Sequence, residues 1–182
     1  AGAIQWPTPS RITLGPVVNY GYENEVTLLS SIKVPDDASG VFPVKAKVKW
    51  LVCEEICIPQ RVELALDLPV VAPGQDRGRG SALIGKAQAS LPAASPWPVS
   101  ATSDNSGLTL RITGTGLQPD NIKDIWFYPL EWGRIAHNAD QPWLSSGDAI
   151  ELKLQPGDDA PAVGGRFNGV LAITEDGRDG PV

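Results

Sequence analysis

The 182-residue chain is short of several things that would have announced a function. It has two cysteines and one histidine, no excess of basic residues, and no strong internal repeat. Each shortage excludes something. A formal charge of −6 argues against nucleic acid as a partner, because a phosphate-binding face needs clustered Lys and Arg. No apolar run approaches the roughly 20 residues of a membrane-crossing helix, and no signal-peptide pattern is visible at Ala1. A structural zinc site needs four N or S ligands, and His137 is far in sequence from both cysteines. With no acid–serine pattern near it, His137 reads as a surface or loop residue. The carboxylate pairs Glu54/Glu55 and Asp158/Asp159 are adjacent rather than set across a cleft, which suits them poorly to general acid–base work.

What the chain does have is glycine (19) and proline (17), as expected of short strands joined by turns. It also has one concentrated stretch, Trp50-Leu51-Val52-Cys53-Glu54-Glu55-Ile56-Cys57-Ile58-Pro59, which holds both cysteines. Upstream, Val44, Ala46, Val48 and Trp50 alternate with Lys45, Lys47 and Lys49. Downstream, Val62, Leu64, Leu66 and Leu68 alternate with Arg61, Glu63 and Asp67. Period-two alternation predicts two half-buried antiparallel strands, hence a hairpin with the cysteines at its turn. Parity places Cys53 on the face of the lysines and Cys57 on that of Arg61 and Glu63, so both thiols point away from the core. Pairing Cys53 with Cys57 sets their Cα atoms about 4.5–5.5 Å apart, within reach of a disulfide. That register opposes Lys49 to Arg61. A slip of two opposes Lys49 to Glu63 instead, and the sequence leaves both open.

Three roles compete for the pair: a structural staple, a reversible redox couple, and a two-coordinate Cu(I) site, since Cu(I) accepts two soft ligands. A three-residue loop gains little from a staple, whereas a small exposed ring is well placed for exchange with another thiol. A Cys-x-x-Cys motif at a helix start, as a thioredoxin-like fold requires, is absent.

The cysteine stretch, together with Val18-Asn19-Tyr20-Gly21-Tyr22-Glu23, resembles the amino-terminal periplasmic region of the DsbD and ScsB thiol:disulfide interchange proteins, the ScsB type more closely. The resemblance implies an immunoglobulin-like domain whose hairpin cysteines relay electrons from a membrane-embedded reductase domain to oxidised proteins. Cys53 and Cys57 would then be catalytic, with a mixed disulfide as intermediate and no bound cofactor or metal. The implied partners are membrane-embedded and thioredoxin-like domains of the same or a partner protein, and oxidised periplasmic thiol proteins. The implied location is the periplasm, as a soluble part of an inner-membrane protein from which this piece has been cut. Cytochrome c biogenesis and copper tolerance are the implied settings. Tyr20 and Gly21, with Tyr22, match a loop that caps the cysteines, although Asn19 stands where an aromatic might be expected. The spacing departs from DsbD, where more than three residues separate the cysteines. Cys57 is the sulfur expected to meet partners. The resemblance points to the second cysteine, and Glu54 and Glu55 directly after Cys53 disfavour a thiolate there.

Along the chain, residues 11–14 read as a short strand, 19–24 as a loop, 25–34 as a strand and 35–40 as a turn. Ser81 can cap a helix of about ten residues in which Leu83, Ala87 and Leu91 recur at four-residue spacing. Strands are expected at 99–103, 108–113, 122–128, 149–154 and 169–174. Trp126-Phe127-Tyr128-Pro129-Leu130-Glu131-Trp132 reads as core, with a carbohydrate-stacking platform as the alternative. The expected fold is all-β: two immunoglobulin-like sandwich units joined by a linker with one short helix. The first unit, with about four strands, is expected to be truncated or completed by another segment or chain. The expected boundaries are 1–72 for the redox domain, 73–98 for the linker and 99–182 for the second sandwich. The alternative functions are a non-catalytic module binding glycan or protein, with a structural disulfide, and a Cu(I)-binding dithiol in copper tolerance.

Overall fold

The computed structural model describes residues 1–53, 56–72, 80–104, 107–114, 119–160 and 166–176. The described residues are all-β apart from one short helix and a 3-10 turn, and the chain forms two compact units. One comprises Ala1–Ile4 with Ser30–Gly85, the other Gln5–Leu29 with Lys86–Val182. Contacts therefore group residues 5–29 with the second unit, although sequence order sets them beside the hairpin. The expected linker core, residues 73–79, lies outside the described residues.

The first unit is built on one antiparallel ribbon, β3 (Val41–Cys53) with β4 (Cys57–Pro69). Its open end is closed by the Val70 N–H donating to the Gly40 carbonyl, and Gly40 takes the left-handed φ of 73° that a side chain would resist. The alternation is as expected, but the half-burial is not. Val48, Trp50, Val62, Leu64, Leu66 and Leu68 are all exposed. Among the described residues of this unit there is one two-stranded sheet and no second layer to cover that face. The expected strand at 25–34 is likewise absent; it makes a single bridge, Leu29 to Gln5. Its residues have strand propensity, but a strand persists only where a neighbour supplies a ladder.

In the second unit, β1 (Ser10–Leu14) turns into β2 (Val17–Gly21) through Gly15 and Pro16. Gly15 has φ 58° at the first central position, as a two-residue type II′ turn requires. Much of the expected 19–24 loop is thus strand. After the helix come β5 (Val99–Asp104), β6 (Gly107–Thr113), β7 (Ile122–Pro129), β8 (Trp143–Ser146), β9 (Ala149–Leu154) and β10 (Gly169–Glu175). One sheet has the order β5-β6-β9-β8 and another pairs β10 with β7. Between them lies the core: Leu108, Leu110 and Ile112 of β6, Ile150, Leu152 and Leu154 of β9, Ile125 and Phe127 of β7, and Ile173 of β10. The opposite face of β7 buries Trp126 and Tyr128 against Ala172, with Tyr20 of β2 packed on them.

Beside β7, the buried Gln141 takes the place of a strand neighbour. Its Oε1 accepts from the Phe127 N–H at 2.7 Å, and its Nε2 donates to the Phe127 carbonyl at 3.0 Å. Both backbone groups are thereby satisfied without a ladder.

The helix α1 (Ser81–Ala89) begins one residue earlier than expected. Gly80 supplies the first carbonyl, accepting from Ile84, so Ser81 lies inside the first turn rather than at the cap. Ala87 is buried, while Leu83 remains exposed. No described helix is long and apolar enough to cross a membrane.

Candidate functional site

Cys53 and Cys57 form the last rung of the ribbon and are joined by a disulfide, with Cα atoms 4.1 Å apart. Of the two registers the sequence allows, the structure has the unslipped one: Lys49 faces Arg61, and Lys47 faces Glu63. Lys47 and Glu63 form an ion pair at 3.3 Å, with both side chains about three-quarters exposed (77% and 76%). Such a pair adds little stability. The register nonetheless tolerates the directly opposed cations at Lys49 and Arg61, a mildly unfavourable arrangement.

Strand parity orders one face of the ribbon from the tip inward. Cys53 and Cys57 come first, then Leu51 and Pro59, then Lys49 and Arg61. The apolar side chains described around the tip are open to solvent: Leu51 is 63% exposed, and Ile56, Val52 and Ile58 are exposed beside it. Lys49, Trp50, Leu51, Pro59, Gln60 and Arg61 line a surface depression just behind the sulfurs. Chemically, this is a small ring, accessible to an incoming thiolate and bordered by hydrophobic surface. Glu54 and Glu55 lie outside the described residues.

Lys49 precedes Cys53 by four residues and Arg61 follows Cys57 by four, so the register makes the cationic surroundings of the two sulfurs alike. Arg61 therefore gives Cys57 no cationic advantage over Cys53. At about 3.4 Å per residue the Cα atoms of Lys49 and Arg61 lie about 14 Å along the strands from those of Cys53 and Cys57. Among the described residues no group of three or more His, Cys, Asp or Glu side chains is placed to hold a metal. A Cu(I) dithiol would require the pair to be reduced first.

Tyr20, Gly21 and Tyr22 lie in the second unit, at the end of β2. Tyr20 packs edge-on against Tyr128 at 4.9 Å and against His137 at 5.1 Å. Burial raises its pKa, opposed by the neighbouring Trp126 indole and the Arg11 guanidinium. The Tyr20 hydroxyl and the Trp126 N–H are nonetheless both buried without a hydrogen-bond partner among the described residues. Arg11 lies over the Trp126 ring at 4.1 Å. Tyr22 donates to the Pro7 carbonyl at 2.7 Å and stacks on Trp6.

His137 is more than a surface residue. Trp132 stacks on it at 3.9 Å, and its Nε2 faces the Gly133 N–H at 3.4 Å, while burial lowers its pKa. The core reading of the aromatic run holds for Trp126, Phe127 and Tyr128. It fails for Leu130 and Trp132, which are 70% and 73% exposed. Sequence reasoning missed the Trp132–His137–Tyr20 cluster; the five-residue spacing of Trp132 and His137 was the one local hint.

Comparison with known proteins bears on the same stretch. The family model described as "Thiol:disulfide interchange protein DsbD, N-terminal" matches residues 1–69. The fold is similar to the crystal structure of the N-terminal periplasmic domain of ScsB from Proteus mirabilis, with a TM-score of 0.62 and 21% sequence identity. That likeness covers 98% of this chain and 70% of the other. No curated protein matches. The expected resemblance to DsbD- and ScsB-type proteins and the all-β, immunoglobulin-like class thus stand on a family match and a fold match.

Proposed function

We propose that the chain is a periplasmic thiol–disulfide exchange module that relays two electrons through Cys53 and Cys57. Electrons arrive from a membrane-embedded reductase domain and leave to oxidised thiol proteins, with thioredoxin-like domains among the partners. The observation that carries this reading is an exposed disulfide at a hairpin tip, inside the stretch that matches the DsbD family. In the reduced module, the Cys57 thiolate attacks one sulfur of a substrate disulfide. That bond breaks, a mixed disulfide forms, and the released substrate sulfur takes a proton. Cys53 then loses its proton and attacks Cys57, which regenerates the ring seen here and frees the substrate as a dithiol. This is the activity of a protein-disulfide reductase.

Cys57 is assigned the attack because Glu54 and Glu55 follow Cys53 directly in the sequence and disfavour its thiolate. Tyr20, Gly21 and Tyr22 are the proposed cap, supported by their place in the matched stretch. The staple alternative has less behind it, since a three-residue loop constrains the unfolded chain little.

Single-cysteine variants mixed with oxidised thioredoxin test the proposal. Cys53→Ser is expected to accumulate a covalent complex and Cys57→Ser is not. Trapping by Cys57→Ser alone would reverse the assignment, and trapping by neither would end the proposal.

A further inference from the structure

The ribbon bears a second recognition element behind the sulfurs, and its charge is unlike that of the chain. The protein carries −6 overall, yet Lys49 and Arg61 face each other on the cysteine side of the ribbon. Neither makes an ion pair among the described residues, whereas the next rung inward is neutralised by the Lys47–Glu63 pair. Between the cations and the disulfide stand Leu51 and Pro59, both exposed. The depression lined by Lys49, Trp50, Leu51, Pro59, Gln60 and Arg61 joins these layers into one surface.

From this layout we infer that Leu51, Pro59, Lys49 and Arg61 form a docking surface for a protein partner whose reactive sulfur is set in apolar surface, with carboxylates about 14 Å from it. The inference rests on the thiol-exchange reading and adds the partner's chemistry to it. Opposed cations repel when the site is empty and become favourable when carboxylates lie between them, so this rung is best satisfied in the complex. Apolar contact at Leu51 and Pro59 excludes water from the exchanging sulfurs, and the cations fix register and speed encounter.

The test uses the full chain in its disulfide form and two synthetic thiol peptides. Each peptide has apolar residues beside its cysteine and, four residues on, three Asp in one case or three Lys in the other. A peptide thiolate attacks Cys57, the Cys53–Cys57 bond breaks, and Cys53 leaves as thiolate with the electron pair. A second peptide thiolate attacks the peptide sulfur of the mixed disulfide, yielding a peptide disulfide and the reduced pair. Each rate is divided by that peptide's own rate with hydroxyethyl disulfide, which removes differences in thiol reactivity.

The acidic peptide is expected to react roughly tenfold faster than the basic one at low salt, the preference fading as salt is raised. The net charge of −6 would by itself favour the basic peptide, so the sign of the effect is decisive. Lys49→Gln/Arg61→Gln should bring the ratio to one or below. Lys33→Gln/Lys86→Gln, which removes the same charge outside the ribbon, should preserve it. A ratio at or below one in the unsubstituted chain, or a preference that survives Lys49→Gln/Arg61→Gln, overturns the inference. If dithiothreitol reduces the disulfide in such a case, the exchange function stands and only the docking surface falls. If no thiol reduces it, both fall together.

Discussion

Reducing the Cys53–Cys57 bond should cost the fold about 2 kcal/mol and no more. The bond closes a ring over the span 53–57 at the last rung of the ribbon. For so short a loop the chain-entropy relation gives about 2 kcal/mol of stabilisation. Nothing in the packing adds to this, because the side chains around the tip are exposed and the bond ties no buried element to another. Stability and redox poise are linked. Whatever the native state contributes to the disulfide lowers its reduction potential by about 30 mV per 1.4 kcal/mol. A contribution of about 2 kcal/mol therefore lowers the potential by about 40 mV, which should leave it above the roughly −300 mV typical of structural disulfides. Hydrogen exchange of the β3 and β4 amides, with and without reduction, reads the first quantity; equilibration with glutathione reads the second. A loss above about 3 kcal/mol, or a pair that glutathione cannot reduce, would make the disulfide a staple and refute the reasoning.

Two further predictions concern the second unit. Gln141→Leu keeps the side-chain bulk but strands the buried Phe127 N–H and carbonyl, so it should cost about 2–4 kcal/mol. Thermal unfolding would show this, and a loss under about 1 kcal/mol would mean that another group serves Phe127. His137 has a folded-state pKa lowered by burial, whereas in the unfolded chain it titrates near pH 6.5. Its contribution is full above that pH and is lost as pH falls through the folded-state value. Between pH 7.5 and 5 the unsubstituted chain should thus lose more stability than His137→Gln, and parallel curves would contradict the assignment.

How far the sequence could be read depended on whether a segment's partner was also visible in it. The alternation in β6 and β9 marks both faces, and each of those strands meets a neighbour, so both were found within a residue. The hairpin carries the same alternation, and its register pairs were among those foreseen, yet its apolar side is exposed. Alternation states which face can be buried, not what will bury it. Residues 25–34 fail for a related reason, since their strand propensity meets no ladder. β8 escaped notice because Trp143-Leu144-Ser145-Ser146 is too short to show a period. At the site, the cysteines and their shared face were legible from spacing and parity. The Tyr20–His137 contact joins residues over a hundred positions apart and was not.

The position of the disulfide bears on how a partner can tell its two states apart. Because Cys53 and Cys57 are the terminal rung, making or breaking their bond adds or removes one covalent link without requiring the Leu51–Pro59, Lys49–Arg61 or Lys47–Glu63 rungs to shift. A bond in mid-ribbon, or one tying the ribbon to a packed core, would transmit its geometry to those neighbours. On the proposed reading the docking face is common to both redox states, and a partner is expected to bind either with similar strength. Direction of transfer is then set by the difference in reduction potential between the two dithiols, not by selective binding of one form. This arrangement would suit the proposed relay, in which the same surface receives a reductant and then releases to an oxidant.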